Sequence, residues 1–481
     1  CYARGDVRLA YSICLWSRVG SRVFLQLHTF EFGNEDDIYT GAGELEWHRL
    51  FTLNTTFAVD ANVSKSRLRN ANYAALKVKD AIVDSFRKNS GARPSVDPEQ
   101  PAIRFHLHTE KHTAVLYLDL SGESLHKRGY RLSGTRAPLR ETSAAGMLIK
   151  AEWAKIAARG GCFIDPMCGS GTLPIEAAMI AADIAPGLYR QRFGFEHWSG
   201  HDAHAWASLR AEAENRRSEG LQHIPRLFAS DKSQKAIDAA SENISRAGFS
   251  DFIQLRTQPF EHVDATRFQK EEDVSAGLIA TNPPYGVRLE NREEIAQLYS
   301  RFGQWLKAGF TDYQAVVLAP DKEAAKYIGL RADKINTLYN GNLKIVMAKI
   351  TLDAGNEYSP PEKTSGRQDR RIEAVRPSAH AADREDDQTT GVNMVANRIL
   401  KNRRKLKNYL KKNGVSCYRV YDADIPQYAA AVDLYEDTYA VVQEYAPPAE
   451  IEPESAENRL RELTAAVGTS LNIEPQHIYL K

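Results

Sequence analysis

Phe163-Ile-Asp165-Pro-Met-Cys-Gly169-Ser-Gly171-Thr172 reads as a buried strand that ends on a carboxylate, turns on two glycines and opens a helix. Glycine lets a backbone approach a ligand with no Cβ in the way, and the helix Leu173–Ala182 offers unpaired N–H groups at its start. A dinucleotide-binding turn would place a third glycine where Pro174 stands, so the G-x-G-x-x-G fingerprint is not met. Taken alone, the loop is also consistent with a plain glycine turn capping a helix. Two further strand ends downstream give it chemistry.

The next strand, Leu227-Phe-Ala-Ser-Asp231, again ends on a carboxylate. Asp231 is placed to accept both hydroxyls of a ribose, or to cap the helix beginning near Ser233, and the two roles are compatible. A third strand, Gly277-Leu-Ile-Ala-Thr, runs into Asn282-Pro283-Pro284-Tyr285. Two prolines stop any regular element and stiffen the turn. An amino group conjugated to a purine is a poor nucleophile, because its lone pair is delocalised into the ring. The Asn282 side-chain oxygen and the Pro283 carbonyl are suited to take its two hydrogens and favour a pyramidal nitrogen, with Tyr285 stacking on an extruded base. Neither a metal nor a strong base is needed if the methyl donor is a sulfonium, since in-line positioning then carries the rate.

Around these motifs, strand candidates Cys162–Asp165, Leu227–Asp231, Phe252–Thr257, Leu278–Asn282, Ala315–Ala319 and Ile345–Leu352 alternate with helix-length segments such as Ser233–Ala247 and Glu293–Gly309. This predicts an α/β, doubly wound, mostly parallel sheet over residues 136–353. Asp183–Pro225 exceeds one crossover and reads as an inserted helical elaboration. Residues 51–135 form a small α+β unit. Its helix is expected to bury Ala75, Val78, Ile82 and Phe86, with Lys77, Lys79, Arg87 and Lys88 outside. Residues 1–50 carry no motif. Residues 354–392 are rich in polar residues and read as a linker, and 393–481 as a further small α+β unit opened by a basic helix, Asn397–Asn413.

A chain of 481 residues is too long for one core. Its net charge of +1 excludes a global polycation, so any nucleic-acid surface must be local. Five cysteines without a C-x-x-C argue against a zinc knuckle or a disulfide framework and for a reducing, cytoplasmic setting. No run is long and apolar enough for a membrane helix. The chain starts with Cys1 and stops in the strand-like His477-Ile-Tyr-Leu-Lys481, so both ends are expected to continue in a longer protein.

Asp165-Pro-Met-Cys-Gly-Ser-Gly-Thr, Asp231 and Asn282-Pro-Pro-Tyr-Gly resemble the signature of S-adenosylmethionine-dependent amino-group methyltransferases. Leu118-Asp-Leu-Ser-Gly, His126-Lys-Arg-Gly-Tyr-Arg and Pro138-Leu-Arg-Glu-Thr are similar to the THUMP-containing 23S ribosomal RNA guanine-N2 methyltransferases. Cys417-Tyr-Arg-Val-Tyr-Asp-Ala-Asp and Val442-Gln-Glu-Tyr-Ala-Pro-Pro resemble the start of the second half of the bifunctional guanine-N2/guanine-N7 enzyme, whose second catalytic domain would follow Lys481.

The resemblance implies a Rossmann-like class I methyltransferase domain after an N-terminal ferredoxin-like remnant and a THUMP module. S-adenosyl-L-methionine is the implied cofactor, and 23S rRNA or a large-subunit precursor the implied partner. Asp165, Pro166, Gly169, Gly171 and Thr172 would meet the donor, with Asp231 on its ribose. Asn282, Pro283, Pro284 and Tyr285 would hold the guanine. Relatives place an acidic residue for the adenine amine where Pro259 stands, which leaves Phe260 to cover the ring or Asp264 to serve. THUMP resemblance also points to Lys65, Arg67, Arg69 and Lys77 as RNA contacts, and the eight Lys or Arg residues of Asn397–Asn413 suit phosphates.

Other chemistries remain open on these residues alone. The same tetrapeptide serves adenine-N6 and protein-glutamine methylation, and a non-enzymatic RNA-binding assembly factor is the rival of a different class. His106-x-His108 lies on one face of an alternating strand without a cysteine at ligand spacing, so no metal site is expected. Cys168 has no His partner in the pattern and reads as a small buried side chain, and Trp198 and Trp206 as packing.

Overall fold

Three sheets carry the fold. The structure, a computed structural model, describes residues 1–481 apart from 67, 69, 132–138, 285–291, 342, 354, 357–388, 414, 426, 437, 445–452 and 481; it also leaves aside the side chains of 389–391, 405, 407–409, 411–413 and 453–456. Residues 1–364 and 365–481 form separate units.

The first sheet joins β1 (Phe24–Glu31), β2 (Phe57–Ser64), β3 (Ile103–Glu110) and β4 (Thr113–Asp119) in the order β1-β4-β3-β2. β2 and β3 run parallel and the other pairs antiparallel. The stretch before residue 50 thus shares a sheet with the unit after it. Helix Ala71–Ser90 starts where the Asn70 side chain accepts the N–H groups of Asn72 and Tyr73, and it stops at Gly91 in the left-handed region. It buries Ala74, Val78, Ile82 and Phe86; Ala74 leads the stripe rather than the expected Ala75, one residue of helical phase away. Trp47, Phe51, Phe57 and Phe105 fill the space between helix and sheet with no measurable exposure. Each such ring contributes about 2–3 kcal/mol of burial free energy.

The second sheet holds the predicted strands and one more: β5 (Cys162–Asp165), β6 (Leu227–Asp231), β7 (Ile253–Thr257), β8 (Gly277–Thr281), β9 (Tyr313–Ala319), β10 (Lys334–Asn340) and β11 (Leu343–Leu352). Their order is β10-β11-β9-β8-β5-β6-β7. β5 pairs parallel with both β6 and β8, and β6 with β7 and β8 with β9 likewise, whereas β11 runs antiparallel to both its neighbours. This is the doubly wound class I methyltransferase arrangement. The chain leaves β5 toward β6 and β7, then returns to the other side at β8. Parallel open sheets bind ligands at the carboxyl ends of the strands flanking such a reversal.

The inserted segment forms single turns and helix Ala203–Gly220, capped by Asp202. Trp206 is buried edge-on to Tyr11, Phe193 and Phe195, which ties the N-terminal helix Val7–Trp16 to the inserted segment.

In the other unit, β12 (Cys417–Asp422), β13 (Ala430–Tyr435), β14 (Tyr439–Glu444) and β15 (Ile478–Leu480) line up in that order. Val395 and Ile399 of helix Thr389–Asn413, with Leu463, Ala466 and Val467 of helix Pro453–Leu471, share a core with Val432 and Val442. The first of these helices starts at Thr389, inside the stretch read as linker, most of which lies outside the described residues. No described helix is long and apolar enough to cross a membrane.

Candidate active site

The carboxyl ends of β5, β6 and β8 bring together Asp165, Asp231 and Asn282, separated by up to 117 residues in the chain. Asp165 is 1% exposed. Its Oδ1 accepts from the Thr281 hydroxyl at 2.9 Å and from the Met167 N–H at 3.2 Å. Its Oδ2 is buried and accepts nothing from the described residues. Burial pushes the Asp165 carboxyl up to about 8 against the lowering effect of those two donors, and the neighbouring Asp231 adds to the rise.

The loop between β5 and helix Thr172–Ala181 turns through Gly169 and Gly171, whose φ values of +54° and +82° are left-handed. A Cβ at Gly171 would also stand 3.3 Å from the Ala240 Cβ, so the loop and helix Gln234–Arg246 sit in direct contact. Three bonds pin the turn. Gly169 N–H donates to Asp231 Oδ2 at 3.0 Å, Cys168 N–H to the Ser230 carbonyl at 2.9 Å, and the buried Asn243 amide to the Ser170 carbonyl at 2.9 Å. Asp231 Oδ1 accepts from Ser233 N–H at 3.0 Å, while the Ser233 hydroxyl caps the helix. Asp231 therefore already holds two backbone donors. A carboxylate keeps further lone pairs for ribose hydroxyls. Cys168 is buried, and its surroundings push its thiol well above the usual range.

Asn282 follows Thr281 at the end of β8, and its Oδ1 is buried with no donor among the described residues. Asn282, Pro283 and Pro284 line a cleft of about 1230 Å³ that reaches Arg104 of β3 on one side and the β10–β11 turn on the other. Tyr285, Arg67 and Arg69 lie outside the described residues. Pro166 lines a separate small cavity with Ser230 and Gln258. Phe260 sits in an aromatic core, edge-on to Phe302 and Trp305, and Asp264 caps helix Ala265–Glu272. Lys65 is exposed at a left-handed residue, and Lys77 is bonded to Asp36 at 2.7 Å and lies over the Tyr73 ring. His106 stacks on Phe24 at 5.0 Å, and burial lowers its pKa.

Sequence reasoning missed the side chains that support the loop. Thr281 ties the two motif strands together. Thr172 accepts a hydrogen bond from Arg131, which also pairs with Glu141 at 3.3 Å. Four residues on in the same helix, Glu176 is fully buried, with Arg128 and the Tyr130 hydroxyl each 3.3 Å from its Oε1. The stretch His126-Lys-Arg-Gly-Tyr-Arg thus clamps helix Thr172–Ala181, a role its basic composition does not announce.

Residues 128–349 match the family described as RMKL-like, methyltransferase domain, and residues 32–119 the THUMP domain. The chain is 43% identical over 460 residues to the ribosomal RNA large subunit methyltransferase K/L of Syntrophotalea carbinolica, covering 96% of this chain and 61% of that protein. It is 40% identical to the protein of the same name from Methylococcus capsulatus, covering 99% and 64%. The chain thus spans somewhat under two thirds of these relatives' length. Among solved structures, a predicted N6-adenine-specific DNA methylase from Listeria monocytogenes superposes with a TM-score of 0.63 at 29% identity, over 72% of this chain and 87% of that one. SMU.472, a protein taken for a methyltransferase and solved with SAH, gives 0.63 at 28% identity, over 73% and 89%. The chain thus joins a THUMP domain to an RMKL-like methyltransferase domain that follows it.

Proposed function

We propose that the chain transfers a methyl group from S-adenosyl-L-methionine to the exocyclic N2 amine of a guanine in 23S rRNA. The observation that carries this reading is a pair of buried oxygens, Asp165 Oδ2 and Asn282 Oδ1, with no donor among the described residues. They stand at the ends of adjacent parallel strands that Thr281 ties together. Buried acceptors without donors are costly, and a ligand that brings donors removes the cost. The cationic amine of an amino acid suits Asp165. A nucleobase amine suits Asn282.

When bound, S-adenosylmethionine supplies an electrophilic methyl carbon on a sulfonium. The chain's own work is positional. Asp165 holds the donor's amine, the Gly169–Gly171 turn lets backbone lie against it, and Asp231 accepts from the ribose. Asn282 Oδ1 and the Pro283 carbonyl take the two amine hydrogens and draw the nitrogen lone pair out of conjugation. The target nitrogen would take the methyl carbon from the bound donor's sulfur and would shed one proton to solvent.

The relatives' names supply the class of RNA, and the solved neighbour holding SAH supports the cofactor. The N2 position rests on the Asn-Pro-Pro-Tyr resemblance. A guanine-N7 activity is proposed only for the whole protein. The likeness to a structure named as an adenine methylase keeps N6 of adenine as a second reading, since the same clamp fits that amine. Incubating the protein with labelled donor and unmodified 23S rRNA, then separating nucleosides by mass spectrometry, decides. N2-methylguanosine is expected; label in N6-methyladenosine, or in protein alone, refutes the assignment.

A further inference from the structure

The cleft holding Asn282, Pro283 and Pro284 is larger than a small-molecule pocket and is lined by seven Arg or Lys side chains against three Glu. Most of these cations are engaged. Arg190 donates to four main-chain carbonyls from Ser121 to Lys127, Arg128 pairs with Glu176, Arg131 pairs with Glu141 and donates to Thr172, and Arg104 is paired with Asp60. Three stand differently. Arg192 and Arg140 are exposed, with no ion-pair partner among the described residues, and Lys127 has only the exposed Glu123 at 3.0 Å. The Arg140 guanidinium lies beside Gly341 at the β10–β11 turn, and the Arg140 main-chain N–H donates to Asn340 Oδ1 at 3.0 Å. Arg192 follows the anchored Arg190 on the wall toward the first sheet.

Two groups in the cleft wall register the resulting field. The imidazole of His126 is held down to about 4, first by burial and then by the charges of Arg140, Lys127, Arg128 and Arg131. The Glu123 carboxyl is held below its ordinary range by the hydrogen bond from Lys127, with Arg190 and Arg192 adding to it. Seven cations against three carboxylates therefore make the lining of the cleft that also holds the base clamp positive on balance. A concave wall of one sign concentrates a polyanion.

We propose that this cleft seats the RNA strand flanking the target base, and that Arg140, Arg192 and Lys127 take its phosphates. Arg140, Arg192 and Lys127 line the same cleft as Asn282, so the backbone flanking the target base is held while the base turns into the clamp. This rests on the proposed RNA substrate. The same charges would not serve a protein substrate's glutamine.

The test compares the unaltered chain with R140A/R192A and R140K/R192K, using a protein-free 23S rRNA transcript. Single-stranded contacts lower log K by about 0.7 per phosphate for each decade of salt, so the alanine pair should lose roughly 1.4 from the salt slope. Its KM for RNA should rise at least about tenfold below 0.1 M salt, with kcat and donor affinity unchanged. The lysine pair should recover most of the slope, since phosphates accept either cation. A slope and KM equal to the unaltered chain's overturn the proposal, as does an equal loss in the lysine pair. Ultraviolet crosslinking of the unaltered protein adds a readout that needs no variant. Crosslinks to peptides covering 126–131 or 190–194 are expected, and crosslinks confined to residues 397–413 count against the cleft. If the unaltered chain binds no RNA, the substrate reading falls and takes the cleft with it; RNA binding untouched by these variants removes the cleft alone.

Discussion

Asp165 offers a quantitative test of how the donor is held. Its carboxyl is buried and pushed up to about 8, so at neutral pH most free molecules carry it protonated. A cation on Oδ2 requires the carboxylate, so donor binding should release a proton. For one group with this pKa, the ionised fraction rises about ninefold between pH 6 and 7, and apparent donor affinity should rise by the same factor. At pH 7 roughly 0.9 proton should leave per donor bound. The donor's own amine titrates near pH 7.7–8.0, so the comparison is confined to pH 6–7. Calorimetry in buffers of different ionisation enthalpy measures both quantities. Asp165→Asn should bind more weakly, show no pH dependence over that interval and release no proton. A flat profile for the unaltered chain would refute the reasoning. The linkage also has a stability side: a carboxyl whose folded pKa lies above its unfolded value of about 3.9 favours folding most when protonated. Stability from this group is full below pH 4 and declines as pH rises toward 8. Without donor, Asp165→Asn should therefore melt higher than the unaltered chain at pH 8.5, and the gain should shrink steadily as pH falls toward 4.

Asn282→Ala removes one acceptor from the amine and should lower kcat by about 100- to 1000-fold, with donor affinity changed less than about twofold; a matching loss in calorimetric donor binding would place Asn282 on the donor instead. Asp231→Ala frees the Gly169 and Ser233 N–H groups and removes the ribose acceptor. At about 1.5–3 kcal/mol for a hydrogen bond to a charged group, donor affinity should fall roughly 10- to 150-fold, and unchanged calorimetric binding would exclude the ribose role. Arg128→Met strands the fully buried Glu176 and should cost about 3–5 kcal/mol. Thermal melting reads that loss, and a drop below about 1 kcal/mol would mean that Tyr130 alone can hold Glu176.

The second sheet was legible because each of its central strands is an apolar run that ends on or just before a polar residue. β5 stops at Asp165, β6 at Asp231, and β8 just before Asn282. β10 escaped notice for the opposite reason. Lys334-Ile-Asn-Thr-Leu-Tyr-Asn340 is an edge strand exposed or half-exposed throughout, and its Lys and Asn residues belong to types depleted in strands. Its pairing is imposed by β11 rather than by its own composition. The loop's supports were invisible in a different way. Asn243 reaches Ser170 across 73 residues and Thr281 reaches Asp165 across 116, so no local pattern marks either side chain. The readings of Cys168 and Trp206 as packing side chains fared well because burial is their ordinary fate: Cys168 is enclosed, and Trp206 packs among aromatics.

The arrangement at β5 and β8 also explains why the two motifs must sit on neighbouring strands. Thr281 spends its hydroxyl on Asp165 Oδ1, and the Met167 N–H spends its own on the same oxygen. That leaves Oδ2 as the acceptor facing away from the strand ends' internal bonds. Thr281 is also the residue immediately before Asn282, so the bond that fixes the carboxyl fixes the strand end from which the amide projects. A shift of β8 by one residue would exchange the faces of Thr281 and Asn282 and break both arrangements together. Replacing Thr281 by Val keeps the shape and removes the hydroxyl, which should loosen donor and amine at once: weaker donor binding and lower kcat, where Asn282→Ala affects kcat alone. If Thr281→Val altered only stability, the coupling between the two halves of the site would have to run through backbone pairing and not through this side chain.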